Sequence, residues 1–132
     1  VGNPDKVVVH CTGDGCFRMN CHELATEEYY NIPVITVIFD NRTLGMVRQW
    51  QNLIYDKRFS QTDLDRGPDF VKLAQAYGLH GFRAANQAEF AEAFRQALEL
   101  GTGCVIDCAI DIDAMVHPMV NGGTPVTDFL LD

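Results

Sequence analysis

The sequence predicts an α/β fold, a parallel sheet with helices on both faces. Three observations carry this. Apolar runs at residues 7–11, 34–39 and 104–110, with a shorter segment at 79–83, alternate with stretches of helical periodicity. The run 34–39 is continuously apolar rather than alternating, as in strands covered on both faces. Strands separated by helix-length segments need crossover connections, and crossovers make neighbouring strands parallel.

The elements follow in order. Val7-Val8-Val9-His10-Cys11 reads as a buried strand between Asn3-Pro4-Asp5 and Gly13-Asp14-Gly15. A helix is expected from just after Gly15 to about Tyr30, with Met19, Leu24 and Ala25 on its buried side. Pro33 precedes the second strand, and Asp40-Asn41-Arg42-Thr43 ends it. Residues 44–52 suit a short amphipathic turn or helix, and 55–68 form a polar loop long enough to suggest function. Pro68 opens a helix carrying Phe70, Leu73, Ala74 and Tyr77, and Gly78 closes it. After the strand at 79–83, Asn86 and Glu89 have capping-box spacing. Phe90, Ala93, Phe94, Ala97 and Leu98 make the next apolar stripe, which Gly101 ends. The last strand, 104–110, gives way to an irregular tail with Asp111, Asp113, His117 and Pro118.

Composition narrows the function. A length of 132 residues suits one domain. Eighteen acidic against ten basic side chains give a net charge of −8, which repels phosphate backbones and argues against nucleic acid as partner. The chain has no apolar run of membrane-spanning length and no opening signal segment, so a soluble, cytoplasmic protein is expected. Cys11, Cys16, Cys21, Cys104 and Cys108 make an odd count without CxxC spacing. The first three lie five residues apart, followed by His22, a spacing that presents no chelating face on a helix or strand. Reduced thiols in a reducing compartment are the simpler account. His10 is expected in the core, His22 and His80 at the surface, and Asp111, Asp113 and His117 at a polar strand end.

Two strand ends carry candidate chemistry. Gly13-Asp14-Gly15 follows the first strand, where open α/β sheets bind ligands. Its glycines permit close approach of a phosphate, although the same triplet is ordinary turn chemistry. Arg18 stands where a dinucleotide fingerprint needs its third glycine. Asn41 ends the second strand, 27 residues after Asp14. A carboxylate, an amide oxygen and a nearby carbonyl suit a hard cation such as Mg²⁺ bridging diphosphate oxygens. The alternative is that Asp40-Asn41 merely ends a strand.

Gly13-Asp14-Gly15, a gap of about 25 residues and then Asn41 is similar to the thiamine diphosphate motif of thiamine-dependent decarboxylases and carboligases. Those enzymes usually have two asparagines where this chain has Asp40-Asn41. Phe17-Arg18-Met19-Asn20, Glu23-Leu24-Ala25-Thr26 and Leu44-Gly45-Met46-Val47-Arg48-Gln49-Trp50-Gln51 narrow the resemblance to the catalytic large subunit of acetolactate synthase. His117-Pro118-Met119-Val120, Gly122-Gly123 and Pro125 resemble that subunit's C-terminus. The match runs from about Lys6 to Leu130, and Met-Val-Arg-Gln-Trp-Gln is its most specific piece.

The resemblance implies that residues 1–132 form a truncated C-terminal thiamine diphosphate-binding domain, lacking its first strand and helix. It implies Asp14, Asn41 and the Thr43 carbonyl as Mg²⁺ ligands. Gly13 lies at the same turn, and Gly15 and Cys16 would offer backbone N–H groups to the diphosphate. The family usually has Ser or Ala at the Cys16 position. Gly45 and Met46 would lie along the cofactor, and Trp50 would line the substrate channel. In such an enzyme one 2-oxo acid is decarboxylated and joined to another in branched-chain amino-acid biosynthesis. FAD in the full-length enzyme, homo-oligomerisation through the thiamine-binding domains and a regulatory small subunit belong to the same expectation. No catalytic acid is expected within this chain, so alone it should be inactive. Two alternatives stay open: another thiamine diphosphate-dependent decarboxylase or carboligase, and a non-catalytic Mg²⁺-binding α/β module.

Overall fold

Strands form where the apolar runs lie in the computed structural model, which describes residues 1–130; the last two residues of the expected 1–132 domain lie outside the described residues. Strands β1 (Val8–Gly13), β2 (Val34–Asp40), β3 (His80–Ala84) and β4 (Cys104–Ala109) make one all-parallel sheet in the order β1-β2-β4-β3. β2 and β4 are central and bear most of the sheet's buried side chains. Because successive residues point to opposite faces, each central strand feeds two cores. Ile35, Val37, Cys104, Ile106 and Cys108 pack with Ala93 and Ala97 of helix α5 (Gln87–Leu100). Ile38 and Val105 pack on the other face with residues from three helices. These are Phe17 of α1 (Asp14–Asn20), Leu24 of α2 (Leu24–Tyr29), and Phe70 and Ala74 of α4 (Phe70–Ala76). Full burial of each Ile, Leu or Phe contributes about 1.5–3 kcal/mol. Helices thus cover both faces, as expected.

The helix ends are chemically marked. Asp69 caps α4 by accepting from the Lys72 N–H at 3.2 Å. At α5 Asn86 caps the helix, and Glu89 reaches back past the cap to the residue before it. The Asn86 side chain accepts from the Glu89 N–H at 2.9 Å, while Glu89 accepts from the Ala85 N–H at 2.8 Å. Gly101 ends α5 at φ +64°, a conformation that costs glycine no Cβ clash.

Several expectations need correction. β1 is not buried. Among the described residues it pairs with β2 alone, at the sheet's edge, and Val8, Val9, His10 and Cys11 are exposed despite their β-branched run, so His10 is no core histidine. The first helix starts at Asp14, because β1 continues through Gly13, and it is not continuous to Tyr30. A 3₁₀ turn (Cys21–Glu23) separates α1 from α2. Phe17 faces the core, so Met19, about 200° further round the helix, is 69% exposed. Ala25 and Leu98, each about 100° past a buried neighbour, also face outward. The tail beyond 110 is not wholly irregular: β5 (Met119–Val120) and β6 (Phe129–Leu130) pair antiparallel.

Candidate functional site

The parallel register sets Gly13 opposite Phe39. The two chains therefore leave the sheet side by side, one as Asp14 and the other as Asp40-Asn41. Asp14 is 2% exposed, and its buried Oδ2 has no hydrogen-bond partner among the described residues. Arg18, one turn further along α1, reaches only to 4.0 Å from that oxygen. Burial pushes the Asp14 carboxyl above the usual carboxylate range, and the neighbouring Asp40 charge pushes it further. A buried carboxylate oxygen without a donor is costly unless something positive meets it.

The turn after β2 is held rigidly. Asp40 accepts from the Arg42 N–H at 3.1 Å, and Asn41 Oδ1 accepts from the Thr43 N–H at 3.2 Å. Arg42 adopts φ +56° between them. Thr43 is buried, and its hydroxyl donates to the Thr62 carbonyl at 2.9 Å. A bridge from this turn to the 54–69 loop runs from Leu44 N–H to Thr62 O and from Leu64 N–H to Arg42 O, leaving the Thr43 carbonyl outside the pairing. Gly45 follows with little room beside it: a Cβ there would lie 2.7 Å from Asn41 Nδ2, so a larger residue would push the Asn41 amide aside. Gly15 is nearly as confined, with Leu44 and Leu64 methyls 3.1 and 3.2 Å from where its Cβ would be.

Gly13, Asp14, Gly15, Cys16, Asn41, Thr43, Gly45 and Met46 all line one cavity of about 540 Å³. The eight positions singled out for cofactor and metal at the two strand ends thus converge. The donor set is carboxylate, amide and carbonyl oxygen, which fits a hard divalent cation and not a soft metal. Trp50 lies apart from them, in a second cavity of about 600 Å³ with Tyr55 and Arg58. Met46 and Val47 line both spaces, so helix α3 (Gly45–Leu53) is their common wall.

Sequence reasoning missed the opposite wall. Ile110, Ala114, Met115 and Val116 of the tail line the first cavity, and their positions follow from contacts more than 60 residues away in sequence. It also missed a charged cavity of about 270 Å³ behind Asp40. There Arg83 bridges Asp69 at 2.8 Å and the buried Asp107 at 3.3 Å. Burial pushes the Asp107 carboxyl up, with Asp40 adding to it and Arg83 opposing. An acidic residue within an apolar strand was the available signal.

Residues 1–108 match the family model described as thiamine pyrophosphate enzyme, C-terminal TPP binding domain. The chain is similar to a probable acetolactate synthase large subunit of Methanococcus aeolicus, 45% identical over 130 residues, covering 98% of this chain and 22% of that protein. It is also similar to the acetolactate synthase isozyme 3 large subunit of Escherichia coli, 41% identical over 124 residues, covering 91% and 22%. Among solved structures it resembles the thiamine diphosphate-dependent 4-hydroxybenzoylformate decarboxylase of Rhodococcus jostii RHA1. That likeness has a TM-score of 0.77 and 31% identity, covering 83% of this chain and 21% of the other. The chain spans about a fifth of the length of these relatives. With its strand-end cavity and this match, the chain belongs to the family of C-terminal thiamine pyrophosphate-binding domains of thiamine pyrophosphate enzymes.

Proposed function

We propose that this chain is the diphosphate- and Mg²⁺-binding portion of an acetolactate synthase large subunit. The observation behind it is the Asp14 carboxylate, buried at the end of β1 with an oxygen that no donor among the described residues meets, lining the same cavity as Asn41 and Thr43. Asp14, the Asn41 side-chain oxygen and the Thr43 carbonyl would hold Mg²⁺. The Gly15 and Cys16 N–H groups, at the start of α1 beside Gly13, would face the diphosphate. Gly45 leaves room beside Asn41, and Met46 provides an apolar surface for the rest of the cofactor. When bound, thiamine diphosphate supplies the carbanion chemistry that decarboxylates one 2-oxo acid and joins the remainder to a second. The chain's own part is to hold charge, orient and exclude water; Trp50 would line the approach for the acceptor acid.

Names of the similar proteins support this reading over a decarboxylase. Two relatives at 45% and 41% identity are named acetolactate synthase large subunits, against 31% for the solved decarboxylase. The motif 46–51 agrees. A second copy of the chain, a regulatory small subunit and FAD are proposed for the whole enzyme, and the flavin is assigned to no residue here. The test is acetolactate formation from pyruvate with Mg²⁺ and thiamine diphosphate. The intact protein carrying this chain should form acetolactate, and residues 1–132 alone should not. An intact protein that releases only the aldehyde would make it a decarboxylase. Turnover by the chain alone would place the catalytic acid within it.

A further inference from the structure

We propose that Gln49 is a positioning residue, whose side-chain amide holds the tail segment 113–119 in place as the second wall of the cavity containing Asp14 and Asn41. This rests on the cofactor role proposed above. Gln49 sits on α3 between Arg48 and Trp50, yet it is only 3% exposed. Its Oε1 accepts from the Val116 N–H at 2.9 Å, and its Nε2 donates to the Val116 carbonyl at 3.1 Å. One side chain thus reproduces the two-bond pairing that a neighbouring strand would give. Nε2 also lies 3.1 Å from Met119 Sδ. On the same helix Arg48 meets Asp113 at 2.7 Å. Among the described residues the stretch from 113 to 119 has no strand partner before Met119; Asp113 and Ala114 bond back to Asp111, and beyond them Gln49 is what ties the backbone, at Val116, to α3.

The same helix carries an internal comparison. Gln51 makes the equivalent double bond to Ser60, accepting from its N–H at 3.1 Å and donating to its carbonyl at 3.0 Å. Two glutamines, two residues apart, therefore clasp two different segments: Gln49 the tail and Gln51 the 54–69 loop. The tail wall belongs to the cavity with the metal-type donors, and Gln51 lines the Trp50 cavity.

The test uses the intact protein with Gln49→Met, which keeps length and volume while removing both hydrogen bonds, and Gln51→Met as its counterpart. Hydrogen exchange followed by mass spectrometry reads the segments 111–120 and 57–62, and calorimetry reads thiamine diphosphate affinity in saturating Mg²⁺. Gln49→Met should speed exchange at 111–120 at least tenfold with 57–62 unchanged, and should weaken cofactor binding about tenfold. Gln51→Met should give the reverse exchange pattern and leave cofactor affinity within about twofold. Loss of protection in both segments from either variant would mean general loosening and would overturn the proposal. So would unchanged exchange at 111–120, or faster exchange there with unchanged cofactor affinity. If the unsubstituted protein binds no thiamine diphosphate, the function proposed above fails, and the clasp stands or falls on the exchange pattern alone.

Discussion

Replacing Asp14 by Asn should move stability and cofactor affinity in opposite directions. In the chain without cofactor, the carboxylate is a cost: it is 2% exposed, its Oδ2 lacks a partner, and Asp40 stands beside it as a second negative charge. A buried polar group left without a partner costs about 1–3 kcal/mol. Asp14→Asn removes the charge, keeps an oxygen for the Gly15 N–H and directs an amide donor toward Asp40. The chain should gain about 1 kcal/mol, taken from the low end of that range because an amide buries polar surface too. With a urea m-value of about 2 kcal/mol/M, the midpoint rises by about 0.5 M. The opposite change is expected in binding. Losing the one charged group proposed to hold Mg²⁺ should weaken thiamine diphosphate at least about 100-fold, equivalent to about 2.8 kcal/mol, by calorimetry on the intact protein. A variant that binds the cofactor within about threefold of the original would refute the metal assignment. A chain destabilised by more than about 1 kcal/mol would show that Oδ2 has a protein partner after all.

Other outcomes are expected. Trp50→Leu in the intact enzyme should change the preference between acceptor 2-oxo acids by tens-fold, the scale of about 1–3 kcal/mol for a pocket wall, with cofactor affinity nearly unchanged in the same preparation. Alkylation at pH 8 should label the exposed Cys11 and Cys16 and spare Cys104 and Cys108, whose thiols burial pushes up to about 11; equal labelling of all four before denaturation would contradict their burial. The Glu92 carboxyl should titrate at about 2 by carbon-13 NMR, because Arg95 and then Gln96 donate hydrogen bonds to it. Its folded-state value lies below the unfolded one of about 4.3, so the pair's contribution is present above that pH and is lost as pH falls through the folded value. Arg95→Ala should return the midpoint toward the ordinary range.

The sequence by itself determined what depends on neighbours in the chain. Residues 34–39 and 104–110 announce central strands, because a strand covered on both faces is apolar at nearly every position, with Thr36 and Asp107 the buried exceptions. Asn86 and Glu89 announce the start of α5, because a cap is a three-residue interaction. The pairing of Asp14 with Asn41 was also legible: parallel neighbours linked by one crossover bring their carboxyl ends to one rim. What lies sideways or far along the chain was decided by the tertiary structure. Val8 and Val9 have the composition of a buried strand, yet they lie at an edge, since burial depends on what pairs with the other side. Met19 was misplaced because the buried stripe runs through Phe17 and Leu24, seven residues apart, and Met19 falls about 200° round from Phe17. Gln49 looks like a surface residue of an amphipathic helix, and its partner Val116 is 67 residues away. Only the folded chain brings that amide to the tail backbone, because a hydrogen bond of such range leaves no period in the sequence to read.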